Sequence, residues 1–263
     1  MAEDGRVTDS SELLEAADRN MAAVWRGIAE AVAGPAAVVD RGHALLMSVG
    51  EPVPMFNPAF VRAGGGDPEA IVDEVTAHFE GLGMPFVLIF RDEIAPGLAG
   101  ACARHGMVEH WQAPIMVLDP IPALVPPLPA GLAILPLGGA ELTTYVRVLG
   151  EGFGMPPSMV TRIFGRWLLE MDGFTGFLGF VDGVPVATSG LYVSDGLAGV
   201  YNVATLDGYR GRGIGAAMTW AAAHAGWELG LSVSILQASR AGEPVYERMG
   251  YETPARYRQF EPG

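Results

Sequence analysis

Apolar residues at Leu13, Leu14, Ala17, Met21, Val24 and Ile28 recur at helical spacing and predict one long helix from about Glu12 to Val32. Ser10 or Ser11 can cap it, and Gly34-Pro35 ends it. Short apolar runs then predict strands at Ala36 to Asp40, His43 to Ser48 and Pro54 to Arg62. A helix from Pro68 to Gly81 opens with Asp67 as cap, and Met84 to Phe90 reads as an apolar strand. Pro96 to Arg104 reads as a short helix closed by Gly106, and His110 to Leu118 as one more strand.

The stretch from Asp119-Pro120-Ile121-Pro122 through Pro126-Pro127-Leu128-Pro129 holds too many prolines for a helix or a central strand, so it reads as a linker. Beyond it, Leu132 to Leu137 predicts a strand, and Ala140 to Glu151 and Ser158 to Glu170 predict helices. Phe177 to Val181 and Val184 to Val193 predict a hairpin on the strong turn signal Asp182-Gly183. Ala198 to Leu206 (strand), Gly213 to Leu229 (helix), Leu231 to Gln237 (strand) and Pro244 to Met249 (short helix stopped by Gly250) follow, and Arg256 to Phe260 makes a last strand.

The two halves echo one another. Phe56-Asn57-Pro58-Ala59 matches Tyr201-Asn202-Val203-Ala204, and His105-Gly106-Met107-Val108-Glu109 lies against Met249-Gly250-Tyr251-Glu252-Thr253 at nearly the same offset of about 145 residues. The order of elements agrees as well, which makes an internal duplication the reading, with chance similarity of two α/β units as its rival. The expected domains are residues 1–119 and 131–263, joined by a linker over 120–130.

Composition narrows the chemistry. Half of the 263 residues are hydrophobic and 17% are charged, enough apolar material for packed cores. The formal charge of −14 disfavours nucleic-acid and anionic-membrane partners and suits a cationic, amine-bearing one, although such a charge also serves solubility alone. All 16 basic side chains are arginine, so a lysine Schiff base is excluded and any phosphate must be held by arginine or backbone amides. One cysteine, Cys102, excludes an internal disulfide and a multi-cysteine zinc site. The histidines His43, His78, His105, His110 and His224 show no metal-ligand clustering. With the acidic start Met1-Ala2-Glu3-Asp4 and no membrane-length apolar run, the expected location is the cytoplasm.

The densest chemical signal is a strand, a tight turn and a helix over Ala198 to Ala222. The turn carries Arg210, Gly213 and Gly215 in the pattern Arg-x-x-Gly-x-Gly, with Gly211 as a further position lacking Cβ and Arg212 as a further cation. Glycines let the chain turn sharply, and a helix start offers unpaired N–H donors and partial positive charge, so the place suits an anion. A Rossmann fingerprint does not fit, since the third glycine comes one residue early, and a Walker loop would need a lysine.

Here the sequence resembles the GNAT superfamily of acyl-CoA-dependent N-acyltransferases, whose pyrophosphate motif reads Arg/Gln-x-x-Gly-x-Gly/Ala after a strand. The resemblance implies an α/β fold of two tandem GNAT-like domains, each a mixed, mainly antiparallel sheet flanked by helices, with acetyl-CoA as acyl donor and no metal. It implies that the backbone of Val203 and Thr205 holds the pantetheine arm. Amides from Gly211, Arg212, Gly213, Ile214, Gly215 and Ala216 would wrap the pyrophosphate beside Arg210. Asp207-Gly208 stands where many members have a proline.

Leu236-Gln237-Ala238-Ser239 followed by Tyr246-Glu247-Arg248-Met249-Gly250-Tyr251 resembles the closing segment of the same family. By that resemblance Tyr246 protonates the departing CoA thiolate and Ser239 touches the cofactor arm. A phenol with an ordinary pKa near 10 is protonated at neutral pH and can serve as a general acid, although Tyr246 can also be read as a packed aromatic. Glu151, Glu170 and Asp172 are candidates for the base that deprotonates the amine, or plain solvated carboxylates. Tyr201 and Asn202 could stand beside the acyl carbonyl. The expected reaction is direct acyl transfer to an amine in a ternary complex. Its rivals are a non-catalytic acyl-CoA sensor with a partner-binding N-terminal half and a related enzyme with a carrier-protein or aminoacyl-tRNA donor.

In the N-terminal half the corresponding turn reads Arg62-Ala63-Gly64-Gly65-Gly66-Asp67-Pro68-Glu69, which lacks the motif and sets two carboxylates at the helix start. Repulsion of a pyrophosphate is expected there. Cys102 falls where Tyr246 lies in the other half, either as a nucleophile or as an inert buried thiol. This half reads as a degenerate acyltransferase-like domain.

Overall fold

The computed structural model describes residues 10–63 and 66–263, so the acidic start Met1 to Asp4 and the glycines Gly64 and Gly65 of the N-terminal turn lie outside the described residues. In chain order the elements are α1 (Ser10–Ala33), β1 (Val38–Asp40), β2 (Ala44–Met47), β3 (Pro58–Val61), α2 (Pro68–Leu82), β4 (Val87–Phe90), α3 (Leu98–Arg104) and β5 (Met107–Leu118). After the proline-rich stretch come β6 (Leu132–Pro136), α4 (Leu142–Phe153), α5 (Pro157–Ile163), β7 (Phe174–Val181), β8 (Val184–Ser194) and β9 (Leu197–Thr205). The chain closes with α6 (Ile214–Glu228), β10 (Ser234–Gln237), α7 (Glu243–Arg248) and β11 (Glu252–Pro262). Among the described residues no helix is long and apolar enough to cross a membrane.

Three elements differ from the sequence pattern. The strands expected to begin at Ala36 and Pro54 instead follow 3-10 turns at Pro35–Ala37 and Pro54–Phe56. Each turn opens on a proline, which fixes φ and has no N–H to give a ladder. The helix expected over Ser158 to Glu170 is broken: α5 stops at Ile163, Phe164 is extended at φ −111° and ψ 122°, and a 3-10 turn spans Arg166–Leu169. Apolar periodicity continues across the break, yet Phe164 is buried and Gly165 is a poor helix former, so the chain bends there.

The structure forms two compact units, each built from two separate stretches of the chain. The N-terminal unit comprises Ala22–Ile115 and Thr253–Gly263. The C-terminal unit comprises the described residues through Met21 together with Met116–Glu252.

The N-terminal unit has the strand order β1-β2-β3-β4-β11-β5. β2 pairs antiparallel with β3, β3 parallel with β4, and β4 antiparallel with β11. One face of this sheet, carrying Leu46, Ala59, Val61, Leu88 and Phe90, packs with Val72, Val75 and Phe79 of α2 and with Leu98 and Cys102 of α3. Asp67 caps α2 by accepting from the Glu69 N–H at 3.2 Å.

The C-terminal unit has the order β10-β9-β8-β7-β6, antiparallel throughout except for the parallel pair β9–β10. The β7–β8 hairpin turns on Asp182 and Gly183, both at positive φ. α6 packs on one face through Met218, Trp220 and Ala222, and α4 on the other, where Tyr145 is buried and donates to Ser189 O at 3.2 Å. Residues 10–21 of α1 join this unit by the fully buried Asn20, whose Nδ2 donates to Ser194 Oγ at 2.8 Å. Thus the units share one plan, a mixed and mainly antiparallel sheet with helices on it.

Candidate active site

The site is assembled where β9, α6 and β10 meet. β9 pairs antiparallel with β8, but the register slips: Ala204 faces Thr188 and Tyr201 faces Gly190, so β9 carries one extra residue. Asn202 takes up the difference at φ 55°, and its carbonyl accepts from the Thr188 hydroxyl at 2.8 Å. Such a bulge bends the strand and leaves a residue out of the ladder. On its other edge β9 pairs with β10 only at Ala198–Ser234 and Gly199–Ile235. From Val200 to Thr205 that edge makes no ladder pair with β10, so its backbone groups have no strand partner there, although Thr205 O accepts from Arg210.

The turn after β9 is a 3-10 turn at Asp207–Tyr209, followed by Gly211 and Gly213 at φ 75° and 76°. Gly213 is the N-cap of α6 and has no side chain to satisfy the first amides. The first helical bond is from the Ala217 N–H to Gly213 O at 3.0 Å, which leaves Ile214, Gly215 and Ala216 outside the helical ladder. Three adjacent amides at the positive end of a helix, next to an exposed glycine turn, suit a pyrophosphate. Val203 and Thr205 lie half-buried on β9, two residues apart and therefore on one side of the strand.

The two arginines of the motif act differently from one another. Arg210 is built into the scaffold: its Nε donates to Thr205 O at 3.0 Å, one terminal nitrogen donates to Gly152 O at 2.8 Å, and the other pairs with Asp207 at 2.8 Å. It ties the end of β9 to the end of α4, and Asp207 offsets its charge. Arg212 stands over the Tyr209 ring at 5.2 Å, with one nitrogen donating to Gly208 O at 3.2 Å. As the less encumbered cation, Arg212 is better disposed toward an anion.

Tyr246 sits on α7, half-buried, its ring 6.0 Å from that of Tyr251. Burial pushes its pKa up from the ordinary tyrosine value, opposed by a hydrogen bond with Thr219 of α6. It is therefore a neutral phenol at physiological pH. Ser239 caps the turn into α7: its hydroxyl accepts from the Gly242 N–H at 3.2 Å, and its proton remains to donate. Glu151 and Glu170 are exposed and paired with Arg147 and Arg166 at 3.0 and 2.9 Å. Asp172 acts on Tyr192, raising its pKa with Asp195 after the larger effect of burial.

Several residues of the site carried little sequence signal. Tyr201 donates to Asn20 Oδ1 at 2.7 Å, and its ring meets Tyr192 edge-on at 6.5 Å. Burial raises its pKa strongly. Asn20 is separated from Tyr201 by most of the chain, and the one available hint was an amide among Ala17, Met21 and Val24 on the apolar stripe of α1. Thr188, which holds the bulge, gave none.

Residues 149–251 match the family model of the acetyltransferase (GNAT) family. Among solved structures, a GCN5-related N-acetyltransferase from Kribbella flavida is 26% identical, with a TM-score of 0.71 over 94% of this chain and 96% of that one. A GCN5-related N-acetyltransferase from Sphaerobacter thermophilus is 18% identical, with a TM-score of 0.61 over 83% and 76%. A tandem GNAT protein from the clavulanic acid biosynthesis pathway is 18% identical, with a TM-score of 0.56 over 86% and 82%. No curated protein matches the chain. Residues 149–251 thus match a GNAT acetyltransferase domain that includes most of the bulged strand's sheet, the glycine turn and Tyr246, and the fold of the whole chain is similar to that of GNAT structures, a tandem GNAT protein among them. The family and fold support acyl transfer, for which the family uses acetyl-CoA.

Proposed function

We propose that this protein is an N-acetyltransferase that moves an acetyl or related acyl group from CoA to a primary amine of a small molecule or peptide, by direct attack in a ternary complex. The observation that carries this is the parting of β9 from β10 after Gly199, beside an α6 start whose amides no side chain caps. A pantetheine arm needs an unpaired strand edge, and a pyrophosphate needs clustered donors. Val203 and Thr205 offer the former, and Gly211 to Ala216 the latter, with Arg212 as cation and Ser239 beside the arm.

In the reaction the amine nitrogen attacks the thioester carbonyl carbon, the C–S bond breaks, and the amine loses a proton to solvent. The CoA thiolate takes a proton from the Tyr246 hydroxyl, and solvent, which received the amine's proton, returns one to Tyr246. The raised pKa of Tyr246 keeps that proton in place at neutral pH. The N-terminal unit is proposed as a degenerate copy without chemistry, and the single cysteine fits a reducing cytoplasm.

Calorimetric titration with acetyl-CoA, combined with thiol release over a panel of amines, tests this reading. Tyr246→Phe should lower turnover by roughly 100-fold, in the range ordinary for a lost general acid, and leave CoA affinity unchanged. A wild-type chain that binds acetyl-CoA but releases no thiol with any amine supports a sensor instead. The pH profile checks the assignment of Tyr246. Because burial raises its pKa, loss of the protonated form belongs above pH 10, so a fall in rate between pH 7 and 9 would count against it as the acid.

A further inference from the structure

We propose that Gln237 donates a hydrogen bond to the carbonyl oxygen of the bound thioester, making it a substrate-contacting residue of the acyl-transfer site; this rests on the acyl-CoA reading above. In the parallel register set by Ser234–Ala198 and Ile235–Gly199, Gln237 at the end of β10 comes level with Tyr201. That is the level at which the strands have parted, one residue before the bulge at Asn202. Leu236 and Ala238 on either side pack into the core with Trp220 of α6. Strand alternation therefore sends Gln237 to the opposite face, where Asn20 and Tyr201 lie.

The Gln237 side chain lies against the Tyr201 hydroxyl. Its Nε2 is buried and has no hydrogen-bond partner. Buried amide donors are nearly always paired, so this one marks a place for an acceptor. The Tyr201 hydroxyl donates its own proton to Asn20 Oδ1 at 2.7 Å, and its oxygen can take at most one of the two Gln237 amide protons, so the other is left for a ligand. Asn20 in turn is fully buried and pinned through Nδ2 to Ser194 Oγ at 2.8 Å and to Tyr192 O at 3.4 Å. Even the room for this contact is specified: a Cβ on Gly199 would collide with Asn20 Oδ1. Tyr201 is thus a fixed wall, and Gln237 is the donor left over at the mouth of the gap.

A thioester oxygen gains negative charge as the amine attacks. A donor already in place there stabilises the transition state more than the ground state, without reorganisation. Tyr201 and Asn20 act as positioning residues for Gln237, not as groups that touch the acyl carbon.

The test is calorimetric binding of three ligands to the full chain: CoA, acetyl-CoA, and S-ethyl-CoA, in which a methylene replaces the carbonyl. Wild type should bind acetyl-CoA roughly tenfold more tightly than S-ethyl-CoA, the worth of one buried hydrogen bond. Gln237→Met, similar in length but without a donor, should bring the two affinities together while its CoA affinity and melting temperature stay at the wild-type values. Gln237→Leu should repeat the result with a different apolar shape. An acetyl-CoA to S-ethyl-CoA ratio that is unchanged in both variants overturns the inference, as does an equal weakening of all three ligands. If wild type binds CoA in neither form, the acyl-CoA reading itself falls and this inference with it.

Discussion

The two units build the same motif, a strand, a helix and a parallel strand, and differ in whether that motif is open. In the N-terminal unit β3 pairs with β4 at Pro58–Val87, Ala59–Leu88 and Phe60–Ile89, so the four-residue β3 is zipped nearly to its end. In the C-terminal unit β9 continues through Thr205 after its last pair with β10 at Gly199. The matched asparagines show the cause. Asn57 is fully buried and spends its side chain on structure, donating to the carbonyls of Glu51, Val53 and Pro85 at 2.7, 3.1 and 2.8 Å and accepting from Ser48 at 2.6 Å. Asn202 instead lends its backbone to a bulge. The helix starts diverge likewise: Asp67 caps α2, whereas Gly213 leaves α6 open. A shared topology thus becomes a site through one extra residue in a strand and one missing cap.

The largest effect expected from this contrast is on stability. Asn57→Ala strips three backbone carbonyls and a serine hydroxyl of their partner in a sealed interior, and should cost roughly 2 to 4 kcal/mol in denaturant unfolding. Asn202→Gly keeps the bulge and removes the strain of a side chain at positive φ, so stability should move by less than about 1 kcal/mol. Equal losses at the two positions would show that the asparagines do the same job and would break the comparison.

The next effect is on ligand affinity. Gly213→Val puts a β-branched residue at φ 76°, a conformation that costs an ordinary residue roughly 1 to 2 kcal/mol, and crowds the amides of the α6 start. CoA affinity should fall by about 100-fold, the loss of roughly two charge-assisted hydrogen bonds. Gly66→Ala at the matching start in the N-terminal unit meets only Ile71 at 3.5 Å and should leave both affinity and stability unchanged. Retained CoA binding in Gly213→Val would move the phosphate site elsewhere.

What could be read from sequence is what depends on neighbours along the chain. The Asp67 cap, the Asp182-Gly183 turn and the glycine run before α6 are set within four or five residues, and each has a steric or hydrogen-bonding cause visible locally. Partners across the fold are different in kind. The two-residue period of Arg256 to Phe260 predicts a strand, but nothing in it says that Arg258 will pair opposite Phe90 of β4, since pairing depends on which edge is free. Arg210 reads as a ligand for phosphate because it lies in the motif, yet its bonds to Thr205 O and Gly152 O depend on how α4 packs on β9. Asn20 and Gln237 were invisible for the same reason: an amide on an apolar stripe shows its purpose only when Tyr201 arrives beside it. Cys102 could be read either way until burial pushed its thiol up to about 12, which leaves it inert.

The smallest predicted effect separates the two causes of silence in the N-terminal unit. Asp67→Ala removes a side-chain cap and should cost about 1 kcal/mol, read as a shift in the denaturation midpoint. Its removal also takes one of the two carboxylates from the α2 start. Glu69 remains, held ionised by hydrogen bonds with Arg104 and His105, both at 2.6 Å, the arginine contributing most to lowering its pKa. Asp67→Ala with Glu69→Gln clears both charges and offers α2 the uncapped start that α6 already has. CoA should still bind with a stoichiometry of one, because β3 and β4 remain zipped and no strand edge is exposed to a pantetheine arm. A second calorimetric site in the double variant would mean that charge at the helix start, and not the closed ladder, is what keeps this unit silent.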